Sequence, residues 1–169
     1  MFYTRPDNQK PAHLCIKIMA MIPAIAIAAA IFSFSSQPAD QSTVMSDGVT
    51  QMLLRLADRL HLLDLPSVDV PAICERLSTP VRKCAHVTEY TCFYLSLLFG
   101  LRTWKLHGKR LLTVSLAFTL FYACTDEFHQ LFVPGRAGRF SDVLIDCTGA
   151  AVIWLVYHLF RYRSSRMTA

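Results

Sequence analysis

At 169 residues the chain is long enough for one modest domain, and 53% hydrophobic residues against 17% charged ones lean toward a membrane class. The formal charge of +5 suggests nucleic acid only until positions are read: the cations lie in short runs between apolar stretches, so no basic groove forms and no nucleic-acid partner is expected. The six cysteines contain no CxxC pair, which excludes a zinc finger and gives no disulfide framework.

The first apolar segment, residues 18–35, nearly crosses a hydrocarbon core of about 30 Å at about 1.5 Å per residue. Arg5, Lys10 and Lys17 precede it and alanines follow, as in a signal peptide. Signal h-regions are shorter, so a retained span is expected. An outer segment follows over residues 37–82, where Leu53, Leu56, Leu60 and Leu63 recur at helical spacing. They predict an amphipathic helix capped by Ser46-Asp47, lying on the membrane surface or over the ends of the bundle. Pro66 and Pro71 are expected to break it, with a short helix over 71–77 before Thr79-Pro80 opens the second span.

Three more apolar segments, 84–101, 111–132 and 143–160, complete an all-α bundle of four transmembrane helices. A soluble bundle would need polar stripes every three or four residues, and 111–124 offers only hydroxyls and a tyrosine. Orientation follows from lysine and arginine: Arg5, Lys10 and Lys17 before the first span, Arg102, Lys105, Lys109 and Arg110 in the second link, and Arg161, Arg163 and Arg166 at the end. These ends are expected in the cytoplasm, with both termini inside and the connection 133–140 outside.

Under that topology the ionisable residues converge on one outer layer. Lys83, His86 and Tyr90 share a face of the second span with Glu89 beside His86; Asp126, His129 and Gln130 point one way from the third, with Glu127 turned off that face as a surface or loop-facing carboxylate. Ser141 is expected to cap the fourth span, with Asp142 and Asp146 one turn apart behind it. Arg136 and Arg139 occupy the Pro/Gly turn above, placed to neutralise Asp126, Asp142 or Asp146 or to hold an anionic headgroup. Ionisable groups inside a span are costly unless paired or wetted, which makes this layer a functional candidate.

Three motifs carry a resemblance: Lys83-x-x-His86-x-x-Glu89-Tyr90; Asp126-Glu127-x-x-Gln130-x-Phe132-x-Pro134-Gly135-Arg136; and Asp142-x-x-x-Asp146-x-x-Gly149, with Ser35-Ser36-Gln37 before them. In order and spacing the chain resembles the VanZ-like family of bacterial membrane proteins. One departure is Asp146, where the family pattern has asparagine. The resemblance implies a cell-membrane location and an association with resistance to the glycopeptide teicoplanin, and it names no reaction.

Three readings stay open. One is a binding protein for an anionic or amphiphilic ligand such as a lipid headgroup, a lipid-linked cell-wall precursor or a lipoglycopeptide, using Lys83, Tyr90, Gln130, Arg136, Asp142 and Asp146 over aromatic Tyr90, Phe93, Phe128 and Phe132. Another is a membrane-embedded hydrolase or transferase with His86, Glu89 and Asp126 as catalytic candidates. Its metal-assisted variant would draw ligands from His86, Glu89, Asp126, His129, Asp142 and Asp146, and the metal is left unknown. The third is a structural network, such as Lys83 to Asp126 or Arg136 to Asp142, that locks helices together.

Overall fold

The computed structural model describes residues 9–167, with side chains over 14–161. Arg5 lies outside the described residues, as do the side chains of Lys10, Arg163 and Arg166, which the orientation argument uses. The described elements are all helical: α1 (Gln9–Ser35), α2 (Ala39–Arg59), a 3₁₀ turn (Leu65–Ser67), α3 (Val70–Arg102), α4 (Gly108–Gln130), α5 (Phe140–Asp146) and α6 (Thr148–Met167).

Asp69 starts α3 by accepting a hydrogen bond from the Ala72 backbone N at 3.2 Å, with Pro71 in the first turn where its missing N–H costs nothing. From there the helix runs 33 residues, about 50 Å at 1.5 Å per residue, and packs against every other α-helix. The short helix expected over 71–77 is therefore not separate. Pro80 lies inside α3, and side packing against α1 and α2 carries the helix past the missing donor.

In α2 the structure corrects the expected start. The helix begins at Ala39 behind Pro38, so Ser46 and Asp47 are interior residues and not a cap. Its buried face is made of hydroxyls: Ser42, Ser46 and Thr50. Ser46 donates to the Ser42 carbonyl at 3.0 Å and Thr50 to the Ser46 carbonyl at 2.9 Å, so these side chains satisfy themselves and let α2 approach α3 closely. Val44, Met52, Leu53, Leu56 and Leu60 face outward, Met52 with 70% of its surface exposed. An amphipathic helix with its polar face inward is the arrangement suited to a lipid-facing position.

Among the described residues two helices are long and apolar enough to cross a membrane, Leu14–Ser35 and Gly108–Gln130, and a third crossing results if Phe140–Asp146 and Thr148–Arg161 are taken as one bent span. α3, expected to hold the second span, does not reach that measure of apolarity. The expected continuous fourth span is broken: α5 and α6 meet at 51° around Cys147. Thr148 Oγ1 donates to the Ile145 carbonyl at 2.6 Å, a local bond that competes with the helical ladder. Beyond it, Gly149 lies so close to Thr91 of α3 that a Cβ would collide with that side chain. Nor does Ser141 cap the segment. α5 opens at Phe140, with Arg139 at the cap position and no side-chain cap bond.

Ile31, Tyr90, Phe93, Leu97, Ala123 and Val143 form the apolar centre, joining α1, α3, α4 and α5. Tyr122 of α4 donates to the Ala28 carbonyl of α1 at 2.6 Å, and Tyr94 of α3 donates to the Leu112 carbonyl of α4 at 3.3 Å. The first bond ties α4 to α1, and the second ties the opening turns of α4 to α3, away from the end where the ionisable residues gather.

Candidate functional site

Helix α3 presents Arg82, Lys83 and His86 to a cavity of about 320 Å³; α4 supplies Glu127 and Gln130, the following loop Arg136 and Arg139, and α5 Asp142 and Asp146. The two aspartates stand one turn apart on α5, before the bend into α6. Lys83, His86, Gln130, Arg136, Asp142 and Asp146 all line this one cavity.

Two carboxylates on the wall already have partners. Lys83 Nζ lies 2.7 Å from Asp142 Oδ1, with the two side chains 40% and 25% exposed, so the pair is partly screened and links α3 to α5 at modest energy. Glu127 accepts from the Arg139 backbone N at 2.9 Å and is 7% exposed. Of the surface and loop-facing positions expected for it, Glu127 takes the loop-facing one: the loop folds back over α4, and Gly138 permits the approach because a Cβ there would meet the Glu127 carbonyl oxygen.

Arg136 does not pair with Asp142. Its Nε donates to the Gln37 carbonyl at 3.1 Å and its Nη2 to the Phe34 carbonyl at 3.3 Å, closing the C-terminal end of α1, where carbonyls lack helical partners. Burial, together with the neighbouring Arg82, pushes its guanidinium below the ordinary arginine pKa.

Asp126 lines no part of this cavity. It is 3% exposed, accepting from Ser35 Oγ at 2.7 Å and Gln130 Nε2 at 3.3 Å, while its Oδ1 has no partner. The pairing of Lys83 with Asp126 considered from sequence is not formed, since Lys83 goes to Asp142. Tyr90 is fully buried in the core with an unpartnered hydroxyl, behind the cavity wall. His129, expected beside Asp126 and Gln130, turns to α1, with its ring 4.6 Å from Phe32 and Nε2 3.2 Å from Ser36 Oγ. The aromatic layer expected from Tyr90, Phe93, Phe128 and Phe132 is divided: the first two are buried, and the last two are 64% and 72% exposed.

His86 Nδ1 stands 3.4 Å from Glu89 Oε2. Both line a second, mostly apolar cavity of about 140 Å³ between α2 and α3, with Phe34, Met45, Val49, Val81 and Ala85; of the two, His86 alone also lines the first. Among the described residues no three His, Cys, Asp or Glu side chains form a set able to hold a metal ion.

Three contributors escaped the sequence reading. Ser35 was visible only as part of Ser35-Ser36-Gln37, with nothing in spacing to pair it with Asp126. Glu127 was hidden by helical projection, which omits the returning loop. Arg82, beside Lys83, lines both cavities.

Apolar helices of spanning length enclosing a cluster of ionisable side chains define a helical membrane protein. Residues 20–161 match the VanZ/LLP1 family, and the chain belongs to that family. No curated protein and no solved structure matches it.

Proposed function

We propose that this is a multi-pass protein of the bacterial cell (inner) membrane with four crossings, α1, α3, α4 and the bent α5–α6 pair, and with both termini in the cytoplasm. Its polar chamber faces outward and binds an anionic or amphiphilic ligand, a lipid-linked cell-wall precursor or a lipoglycopeptide, thereby altering susceptibility to glycopeptides such as teicoplanin. The observation that carries this reading is a cavity of about 320 Å³ whose cations exceed the carboxylates left to neutralise them: Lys83 takes Asp142, while the guanidiniums of Arg82, Arg136 and Arg139 form no ion pair among the described residues. The experiment compares teicoplanin susceptibility of cells carrying the native chain, Lys83→Gln, or Arg82→Gln at matched membrane levels. A changed susceptibility in the variants supports the reading, and unchanged susceptibility defeats it. If susceptibility changes only as protein level falls, the cluster is a structural network. Ala137→Cys labelled from outside intact cells, with His107→Cys protected, tests the orientation.

A second reading, a membrane-embedded hydrolase or transferase, is favoured by one feature, the His86–Glu89 pair at 3.4 Å, in which Glu89 borders the apolar cavity and His86 borders both. There Glu89 orients the imidazole as general base toward a water, and Arg82 holds the developing anion. Turnover of a lipid-linked precursor by purified protein, lost in His86→Asn, distinguishes it from stoichiometric binding.

A further inference from the structure

The two cavities adjoin, and the residues common to their walls are Arg82, His86 and Arg136. All three are cationic or able to become so. On one side of this seam the lining is polar, with Lys83, Glu127, Asp142 and Asp146; on the other it is Phe34, Met45, Val49, Val81 and Ala85. Glu89 is the one carboxylate bordering the apolar side among the described residues, and it faces His86. The two guanidiniums lie near enough to depress Arg136, yet neither forms an ion pair among the described residues. Like charges brought together at the edge of an apolar groove are stabilised by an anion between them, and a guanidinium suits phosphate by its planar, forked donors.

We infer that the site takes a phosphate-bearing amphiphile, with the phosphate at the Arg82–His86–Arg136 seam, the apolar chain in the groove between α2 and α3, and the rest of the headgroup in the polar chamber. This rests on the binding reading above and narrows it to one ligand chemistry. Arg136 is pre-positioned by its two bonds to the end of α1, so its stem is fixed before the ligand arrives. Arg82 has no such tie and completes the seat. The groove is built from two helices whose contact depends on the small hydroxyl face of α2, which keeps Met45 and Val49 at its rim. Chain length and charge are thus sensed by separate walls.

The test uses full-length protein in a maltoside detergent, which carries no phosphate, titrated calorimetrically with inorganic phosphate, butyl phosphate and hexyl phosphate against a micelle-only control. Affinity is expected to rise along the series, by up to about fourfold for each methylene fully buried. Arg82→Gln is expected to weaken all three by about tenfold, as for a lost charge-assisted bond. Val49→Trp fills the groove and is expected to abolish the chain-length dependence, so that butyl and hexyl phosphate bind no more tightly than inorganic phosphate. If the native protein binds all three equally, the lipid inference falls and simple anion binding stands. If it binds none, both fall. A chain-length dependence that survives Val49→Trp also overturns the inference, because the apolar chain then lies elsewhere.

Discussion

Ser35 Oγ donates to Asp126 Oδ2 at 2.7 Å, joining the last residue of α1 to the final turns of α4 across 91 positions of sequence. Both residues are almost fully buried, Ser35 at 0% and Asp126 at 3% exposure. A buried carboxylate stripped of a donor is penalised more heavily than the bond itself is worth, by about 1–3 kcal/mol. Ser35→Ala is therefore expected to lower the unfolding temperature in detergent. In an Asp126→Asn background the same change is expected to cost less, since a neutral amide needs that donor less. Equal losses in both backgrounds, measured as a double-mutant cycle, contradict the coupling.

Lys83 and Asp142 tie α3 to α5 through a half-exposed ion pair. Exposed pairs contribute up to about 1 kcal/mol. Lys83→Glu is expected to destabilise by roughly that amount through like-charge repulsion, and Lys83→Glu/Asp142→Lys to recover most of it. Chemical denaturation of the three proteins checks this; failure of the exchange to recover stability means that the lysine acts on other groups.

Gly138 occupies a position where any side chain meets the Glu127 carbonyl oxygen. Because the obstacle is backbone, relief requires moving the loop that carries Arg139 N to Glu127. Gly138→Ala is expected to lose stability and to displace Arg136 and Arg139 from the chamber, weakening ligand binding more than Gly48→Ala, where a Cβ meets open space. Thermal stability and binding measured together on both variants decide the point.

The outward apolar face of α2 gives an accessibility pattern. With the exposed cysteines Cys15, Cys84, Cys92 and Cys124 replaced by serine, Leu56→Cys is expected to resist a membrane-impermeant maleimide in liposomes and Arg55→Cys to react. Equal reactivity places α2 in water and removes its lipid-facing assignment.

Much of this arrangement is legible before folding. Apolar length and composition mark α1 and α4 as long and apolar enough to cross a membrane, and Lys83, His86, Gln130, Asp142 and Asp146, set by helical spacing on adjoining helices, line one cavity with Arg136 of the loop before α5. Periodicity also finds α2, whose apolar stripe is unmistakable.

What periodicity lacks is the identity of the surroundings. It cannot say that the serine and threonine face of α2 turns inward, because against lipid the apolar face has no reason to seek the core. The break at Cys147, the union of Ser35 with Asp126, the burial of Glu127 under its own loop and the diversion of Arg136 to the end of α1 likewise arise only in three dimensions. Each depends on which unsatisfied donor or acceptor lies within reach once the helices have packed, and in a medium without water that partner must come from elsewhere in the chain.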